Sequence, residues 1–115
     1  MIAHIVLFTP SADMSARDRE AFVGLIRAVF AGIPGIDRVR VGKRTLLGRV
    51  YDGMVTMPIE YAAVLEFETV EALRRYLDHP AHAELAQRFF AVAGTALVCD
   101  FTMVEPDRVG ELVDG

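Results

Sequence analysis

The spacing of hydrophobic positions along the chain predicts four strands. Apolar residues occupy both alternating positions of segment 2–9, which is typical of a strand buried on both faces. Segments 36–45 and 59–68 alternate between apolar and polar or charged positions, which indicates strands with one solvent-exposed face. The apolar segment 95–104 is predicted as the last strand. Between them, the glycine- and proline-containing residues 46–58 are predicted to form an irregular hairpin connection.

Three segments have helical spacing instead. Apolar residues of segment 16–31 recur every three or four positions, which predicts a helix capped by Ser15 and ended by the Gly-Ile-Pro-Gly run at 32–35. A second helix begins near Val70, after the cap residue Thr69, and cannot continue through Pro80. Proline suits the first position of a helix, so a third helix is predicted from Pro80 to about Val92, with His79 before it as a cap.

The predicted order, β-α-β-β-α-β, is that of an α+β, ferredoxin-like subunit. In this arrangement a four-stranded antiparallel sheet carries its helices on one face, and the two helical segments that meet at Pro80 together form the second α element. The first and last predicted strands are nevertheless apolar on both faces. We therefore expect a second copy of the chain to cover the open face, which gives a homodimer.

Composition strengthens this expectation. The chain has 115 residues, which suits one domain, yet 53% of them are hydrophobic. That surplus indicates a second buried surface besides the core. We predict one domain over residues 1–105 and a polar C-terminal tail over residues 106–115.

Charge and cysteine content narrow the partners and the compartment. The net charge of −4 argues against nucleic acid, which requires a basic surface. No apolar run reaches the length of a membrane helix, and no signal peptide is apparent, so neither a membrane nor secretion is expected. The single cysteine, Cys99, excludes an internal disulfide and is expected to be a buried core residue. A cytoplasmic location follows as the expectation.

Five short sequences identify a family resemblance. They are HIVLF at 4–8, IPGI at 33–36, LEFE at 65–68, ALRRYLDHPAH at 72–82 and VCDF at 98–101. In this order they resemble the stress-responsive A/B barrel (Dabb, dimeric α/β-barrel) family, which includes a plant polyketide cyclase. The resemblance implies a ferredoxin-like subunit that dimerises through its sheet. It also implies a cyclase-like lyase or isomerase activity on an apolar carbonyl compound, without cofactor or metal ion.

The resemblance further implies a catalytic group at His4, Tyr76 and His82. Residue chemistry is compatible with it. His82 lies in the first turn of a predicted helix, where the helix dipole disfavours imidazolium, and a neutral imidazole can remove a proton beside a ketone. His4 or Tyr76 would then donate a hydrogen bond to the carbonyl oxygen as negative charge develops. Asp100 and His79 are expected to support this group.

The interior between helices and sheet is the expected pocket. The predicted lining residues are Val6, Phe8, Phe22, Ile26, Leu73, Leu85 and Phe89. The plant cyclase has a tyrosine at the position that corresponds to Ile26, so this pocket is expected to be more apolar and the particular cyclisation to differ.

Each candidate also has a structural interpretation. His4 on an apolar strand is typical of a hydrogen-bonded core residue, and Tyr76 of a packing residue. Asp100 is the expected hydrogen-bond partner of His82. It would either orient a catalytic imidazole or only supply the hydrogen bond that a buried imidazole requires. The alternative function is therefore a non-catalytic, stress-linked or small-ligand-binding dimer whose histidines hold the core together. A cavity of roughly 300 Å³ or more would favour the enzyme. A filled interior in which His4 and His82 are fully hydrogen-bonded to protein would favour the alternative.

Overall fold

The computed structural model describes residues 1–114; Gly115, the end of the predicted tail, lies outside the described residues. The predicted α+β, ferredoxin-like fold is confirmed. The strands are β1 (Ile2–Pro10), β2 (Arg38–Lys43), β3 (Tyr61–Phe67) and β4 (Ala93–Thr102). The helices are α1 (Ala16–Gly32), α2 (Val70–Asp78), α3 (Pro80–Val92) and α4 (Gly110–Asp114). Two 3₁₀ helices span Val50–Met54 and Pro106–Arg108.

The sheet has the order β2-β3-β1-β4, and all its neighbouring strands are antiparallel. β1 is therefore a central strand, paired with a neighbour along both of its edges. In its register, His4 stands opposite Leu65 of β3 on one side and opposite Asp100 of β4 on the other. Because paired residues point to the same face, these three side chains share one face of the sheet.

Local capping chemistry sets the starts of the helices. The Ser15 hydroxyl accepts the backbone N–H of Asp18, and the Asp18 carboxylate accepts the backbone N–H of Ser15, a capping box at the start of α1. The Thr69 hydroxyl accepts the N–H of Ala72 at the start of α2. These are the caps that the sequence predicts.

The core lies on the helical face of the sheet. Leu65 and Phe67 of β3 are fully buried there, against Val29 of α1, Leu73 of α2 and Leu85 of α3. All three long helices thus cover the same face, as predicted for this topology.

The opposite face of the sheet has no covering layer within the described chain. It carries the other set of alternating residues, including Ile5 and Leu7 of β1 and Leu97 and Phe101 of β4. Phe101 is 48% exposed. The expectation that Cys99 is a buried core residue is wrong: it lies on this face and is exposed, because odd-numbered positions of β4 point away from the helices.

Two boundaries differ from the sequence prediction. β4 begins at Ala93 rather than near residue 95, because the chain passes from α3 into the strand without a loop and the Ala93 N–H still bonds to the Phe89 carbonyl. The predicted polar tail contains a 3₁₀ turn and the short helix α4, and it exposes apolar as well as polar side chains. Within residues 1–114, no helix is both long enough and apolar enough to cross a membrane.

Truncation of a core side chain tests this packing. Leu65→Ala is expected to lower the free energy of unfolding by about 2–5 kcal/mol, since it removes a side chain that is 1% exposed and leaves a cavity. Val23→Ala, on the exposed side of α1, is the matched control and is expected to change stability by less than about 0.5 kcal/mol. Urea denaturation followed by circular dichroism measures both; equal losses would contradict the placement of the core.

Candidate active site

A cavity of about 120 Å³ lies between the helices and the sheet. Its wall is mostly apolar, and the polar side chains in it come from two histidines and one tyrosine. The lining residues are His4, Val6, Phe8, Phe22, Ile26, Ala63, Tyr76, His82, Leu85, Ala86, Phe89, Phe90 and Val98. The three residues predicted as the catalytic group are thus brought together, although 78 positions separate the first from the last.

Each of the three comes from a different element. His4 is on β1, where residues 4, 6 and 8 share the helical face. Tyr76 is on the buried stripe of α2. His82 is in the first turn of α3, and it reaches the cavity because Pro80 ends one helix and starts the next.

His4 is buried and held by a short hydrogen bond. Its Nδ1 lies 2.6 Å from Oδ1 of Asp100, its cross-strand neighbour. The sequence-based expectation that Asp100 would bind His82 is wrong in this respect, because strand register places Asp100 beside His4. A carboxylate accepts, so Nδ1 of His4 carries the proton, and Nε2 is the ring nitrogen left for other partners.

Tyr76 stands between the two histidines. Its ring centroid is 6.0 Å from that of His4 and 4.7 Å from that of His82, both in edge-on geometry. It also packs against Phe67 of the core at 5.3 Å. Because Tyr76 contacts both histidines, the three rings form one contiguous cluster at the polar end of the cavity. The tyrosine itself is 2% exposed.

Burial sets the protonation states of this cluster. Burial raises the pKa of Tyr76 to about 12, so its phenol remains protonated and can donate a hydrogen bond. Burial also lowers the pKa of His82, and the positive charge of His4 lowers it further, while the backbone of Leu77 acts in the opposite direction. His82 therefore favours the neutral imidazole, as its position at a helix start also predicts.

His79 has a different position from the other two histidines. Its Nδ1 accepts the backbone N–H of Ala81 at 3.1 Å, which caps α3, and its side chain does not line the cavity. The cap proposed from the sequence is therefore observed. His79 supports the site only by fixing where α3 begins and hence where His82 stands.

The apolar wall is largely as predicted. The ring centroid of Phe8 lies 5.1 Å from that of Phe89 and 6.4 Å from that of Phe22, both in edge-on geometry. Ile26 lines the cavity at the position where a tyrosine was expected from the plant cyclase. Leu73 is not part of the wall; it is buried in the core instead.

Four lining residues were missed by the sequence reasoning: Ala63, Ala86, Phe90 and Val98. Helical spacing holds a signal for two of them, because His82, Ala86 and Phe90 are four residues apart and so form one stripe of α3. Val98 stands opposite Val6 in the register of β1 and β4, which the sequence alone does not give. Within residues 1–114, no three His, Cys, Asp or Glu side chains are arranged to hold a metal ion.

The lowered pKa of His82 has consequences for stability. The folded state disfavours its protonated form, so the unfolded chain binds more protons as the pH falls below 6.5, the ordinary value. The free energy of unfolding is expected to decrease on acidification below pH 6.5, with a smaller slope in His82→Gln than in the control His79→Asn.

The same shift is measurable directly by NMR titration of the histidine ring protons. His82 is expected to titrate below pH 6.5. In His4→Gln its pKa should rise, because a nearby positive charge is removed, but it should stay below 6.5 because burial remains. An unshifted His82 in the parent protein would contradict the arrangement described here.

Solved structures share this fold at low sequence identity. The At3g17210 protein of Arabidopsis thaliana superposes with a TM-score of 0.75 at 21% identity, over 91% of this chain and 97% of that one. The hydroxynitrile lyase from Passiflora edulis gives a TM-score of 0.75 at 17% identity, over 90% of this chain and 94% of that one. A dimeric ferredoxin-like protein of unknown function from Thermobifida fusca gives 0.68 at 20% identity, over 89% and 90%.

These likenesses establish the fold, and no curated protein sequence matches the chain. The family assignment rests on the sequence itself. The model of the stress responsive A/B barrel domain matches residues 2–103, which is nearly the whole chain. The protein therefore belongs to the stress responsive A/B barrel (Dabb) domain family.

Proposed function

We propose that this protein is a cofactor-free acid–base enzyme, of the lyase or isomerase class, that acts on a small apolar carbonyl compound. The observation that carries the proposal is the convergence of His4, Tyr76 and His82 on one otherwise apolar cavity. A cluster of groups with displaced pKa values in a concave apolar pocket is typical of a catalytic site.

The size of the cavity restricts the substrate. At about 120 Å³ it is smaller than most small-molecule pockets, which run from roughly 300 to 1,000 Å³. An apolar cavity of about 150 Å³ holds a benzene molecule. We therefore assign a small, mostly apolar substrate of about one ring rather than a folded linear polyketide.

His82 is assigned as the base. Its neutral imidazole can take a proton from the carbon beside the carbonyl group, and the electron pair of that C–H bond then moves to the carbonyl oxygen. The enolate then accepts a proton from the imidazolium at another carbon or on its other face, which isomerises the substrate. Alternatively its α-carbon forms a C–C bond to a second carbonyl group, whose oxygen takes that proton. Neither outcome requires an oxidant, a reductant or a cofactor.

Tyr76 and His4 are assigned to the carbonyl oxygen. The tyrosine hydroxyl is a permanent donor, and its burial means that the hydrogen bond operates with little competition from water. Once protonated, His4 can donate from Nε2 in the same region, because Nδ1 is already committed to Asp100. Asp100 is then a positioning residue that fixes the orientation of the His4 ring.

The comparison with a hydroxynitrile lyase supports a lyase assignment at the level of the fold. That protein is named as a lyase, and its fold superposes on most of this chain. The likeness is compatible with lyase chemistry in a subunit of this architecture. The substrate proposed for this chain rests on its own cavity.

A homodimer that buries the open face of the sheet is the second part of the proposal. Its support is the row of apolar side chains on that face, together with similar proteins that are named as dimeric, such as the one from Thermobifida fusca. We also propose a cytoplasmic location, where the exposed thiol of Cys99 would stay reduced.

Proton abstraction can be tested without the natural substrate. Cyclopentanone, an apolar ring ketone of suitable size, is expected to exchange its α-protons for deuterium faster with the protein than in buffer, as followed by NMR in D2O. His82→Gln should lose about 10²-fold or more of the enzymatic rate, and Tyr76→Phe should lose part of it. His79→Asn is the control: it removes a histidine yet keeps a capping side chain, and should retain the rate.

The same experiment discriminates against the ligand-binding alternative. Cyclopentanone that shifts the His82 resonances without exchanging its α-protons would indicate a binding protein. If cyclopentanone neither shifts the His82 resonances nor exchanges its α-protons, the assignment of a small carbonyl substrate is contradicted. Circular dichroism of each variant shows that the fold is retained.

The dimer is tested by a charge on the open face. Phe101→Lys is expected to give a monomer in sedimentation velocity experiments, because an unpaired ammonium would be buried between the sheets. Thr102→Lys, on the helical face of the same strand, is the matched control and should remain dimeric. A monomeric parent protein would refute the proposed assembly.

A further inference from the structure

Two segments leave the sheet and expose apolar side chains to solvent. The β2–β3 arm, residues 44–58, exposes Val50 at 87% and Met54 at 73%, and the C-terminal tail, residues 103–114, exposes Val113 at 80%. The radius of gyration is 15.8 Å, against about 13 Å for a compact chain of roughly 100 residues. These segments therefore lack the partners that apolar side chains normally have in a folded protein.

The arm nevertheless has a defined conformation. One carboxylate oxygen of Asp52 accepts the backbone N–H groups of Leu47 and Arg49, at 3.2 and 2.9 Å. The guanidinium of Arg44 donates to the backbone carbonyl of Asp52 at 3.1 Å. These bonds hold the backbone around Asp52 in one conformation, which lowers the entropy cost of docking.

The tail is ordered in a similar way. Its first residue, Met103, donates its N–H to the carbonyl of Met1 at 2.9 Å and so stays tied to the sheet. Further on, Arg108 and Glu111 form an ion pair at 2.9 Å across the turn that leads into α4. The tail is thus a second preformed apolar surface.

The two segments carry opposite charge. The arm has two arginines, Arg44 and Arg49, and one aspartate whose carboxylate is engaged by backbone N–H groups. At its base Lys43 and Glu60 face each other at 4.0 Å and add no net charge. The tail has one arginine and four carboxylates: Glu105, Asp107, Glu111 and Asp114.

Strand register places the segments at diagonally opposite corners of the sheet. Lys43, the last residue of the edge strand β2, pairs with Tyr61 and lies at the end of the sheet where β1 finishes. Thr102, the last residue of the other edge strand β4, pairs with Ile2 and lies at the end where β1 begins. The arm and the tail of one chain therefore start far from each other.

A two-fold axis can bring such corners together between two chains. When two sheets pack face to face, an axis in the interface plane that runs along the other diagonal exchanges the arm corner with the tail corner. The strands of the two sheets then cross at a steep angle, which is one of the two usual modes of sheet packing. Each arm then meets the partner's tail once, so the dimer contains two such contacts, one at each of the two corners.

We infer that the β2–β3 arm of one subunit docks on the C-terminal tail of the other, and that this reciprocal contact clasps the dimer. The occupant of both exposed surfaces is a second copy of this chain. The inference rests on the proposed homodimer and goes beyond it, because a sheet-to-sheet dimer with another axis would not bring the arm of one subunit to the tail of the other. Apolar contact supplies the affinity, and the opposite charges select the arm–tail pairing over arm–arm and tail–tail pairing.

Mixed cross-linking tests this pairing. In a Cys99→Ser background, Val50→Cys and Val113→Cys are made as separate single-site variants. Both side chains are highly exposed, so their substitution is not expected to disturb the fold. The two variants are mixed, allowed to exchange subunits, treated with a short bismaleimide and analysed on a denaturing gel. A covalent dimer is expected in the mixture and not with either variant alone. Ala21→Cys on α1 mixed with Val50→Cys is the negative control.

The outcomes separate this inference from the proposed dimer. If the parent protein is dimeric in sedimentation and the mixture gives no cross-linked product, the dimer stands and the arm–tail contact is refuted. A product from Val50→Cys alone would also refute it, since that would place arm against arm. A monomeric parent protein would refute both the dimer and the clasp.

Discussion

The register of β1 against its two neighbours is the constraint on which the rest of the structure depends. Because β1 is central, it pairs along its length with both β3 and β4, and a shift of one residue would turn His4 away from the helices. The observed register places His4 beside Asp100 and beneath Tyr76, and it gives the opposite face of the strand to the open side of the sheet. One set of backbone hydrogen bonds thus determines both the site and the surface left for a partner.

The chemistry of the site follows from the apolar surroundings that this packing creates. Desolvation acts in opposite directions on the two kinds of group: it keeps the phenol of Tyr76 protonated and favours the neutral form of His82. The surroundings of His4 differ from those of His82, because the carboxylate of Asp100 contacts the His4 ring directly. The cavity therefore holds a protonated phenol, an imidazole that favours its neutral form and a carboxylate-bound imidazole within one cluster of rings.

The same alternation of side chains accounts for the open side of the molecule. Residues that face away from the helices are apolar on β1 and β4, although no element of the described chain covers them. The arm and the tail add further exposed apolar area at two corners of the sheet. A subunit with this distribution has a complete core on one side and an unfinished surface on the other, which is the physical basis for expecting self-association.

The sequence by itself determined the elements, since capping residues such as Ser15 and Thr69, the break at Pro80 and the two hydrophobic periods are local signals. It also determined the family, and the family resemblance named His4, Tyr76 and His82 as candidate site residues. Only the tertiary structure decided that Asp100 binds His4 rather than His82, that Leu73 belongs to the core, that Cys99 is exposed and that the cavity is small. Those properties depend on strand register and on how helices fill space over the sheet, which are relations between distant segments that no local pattern encodes.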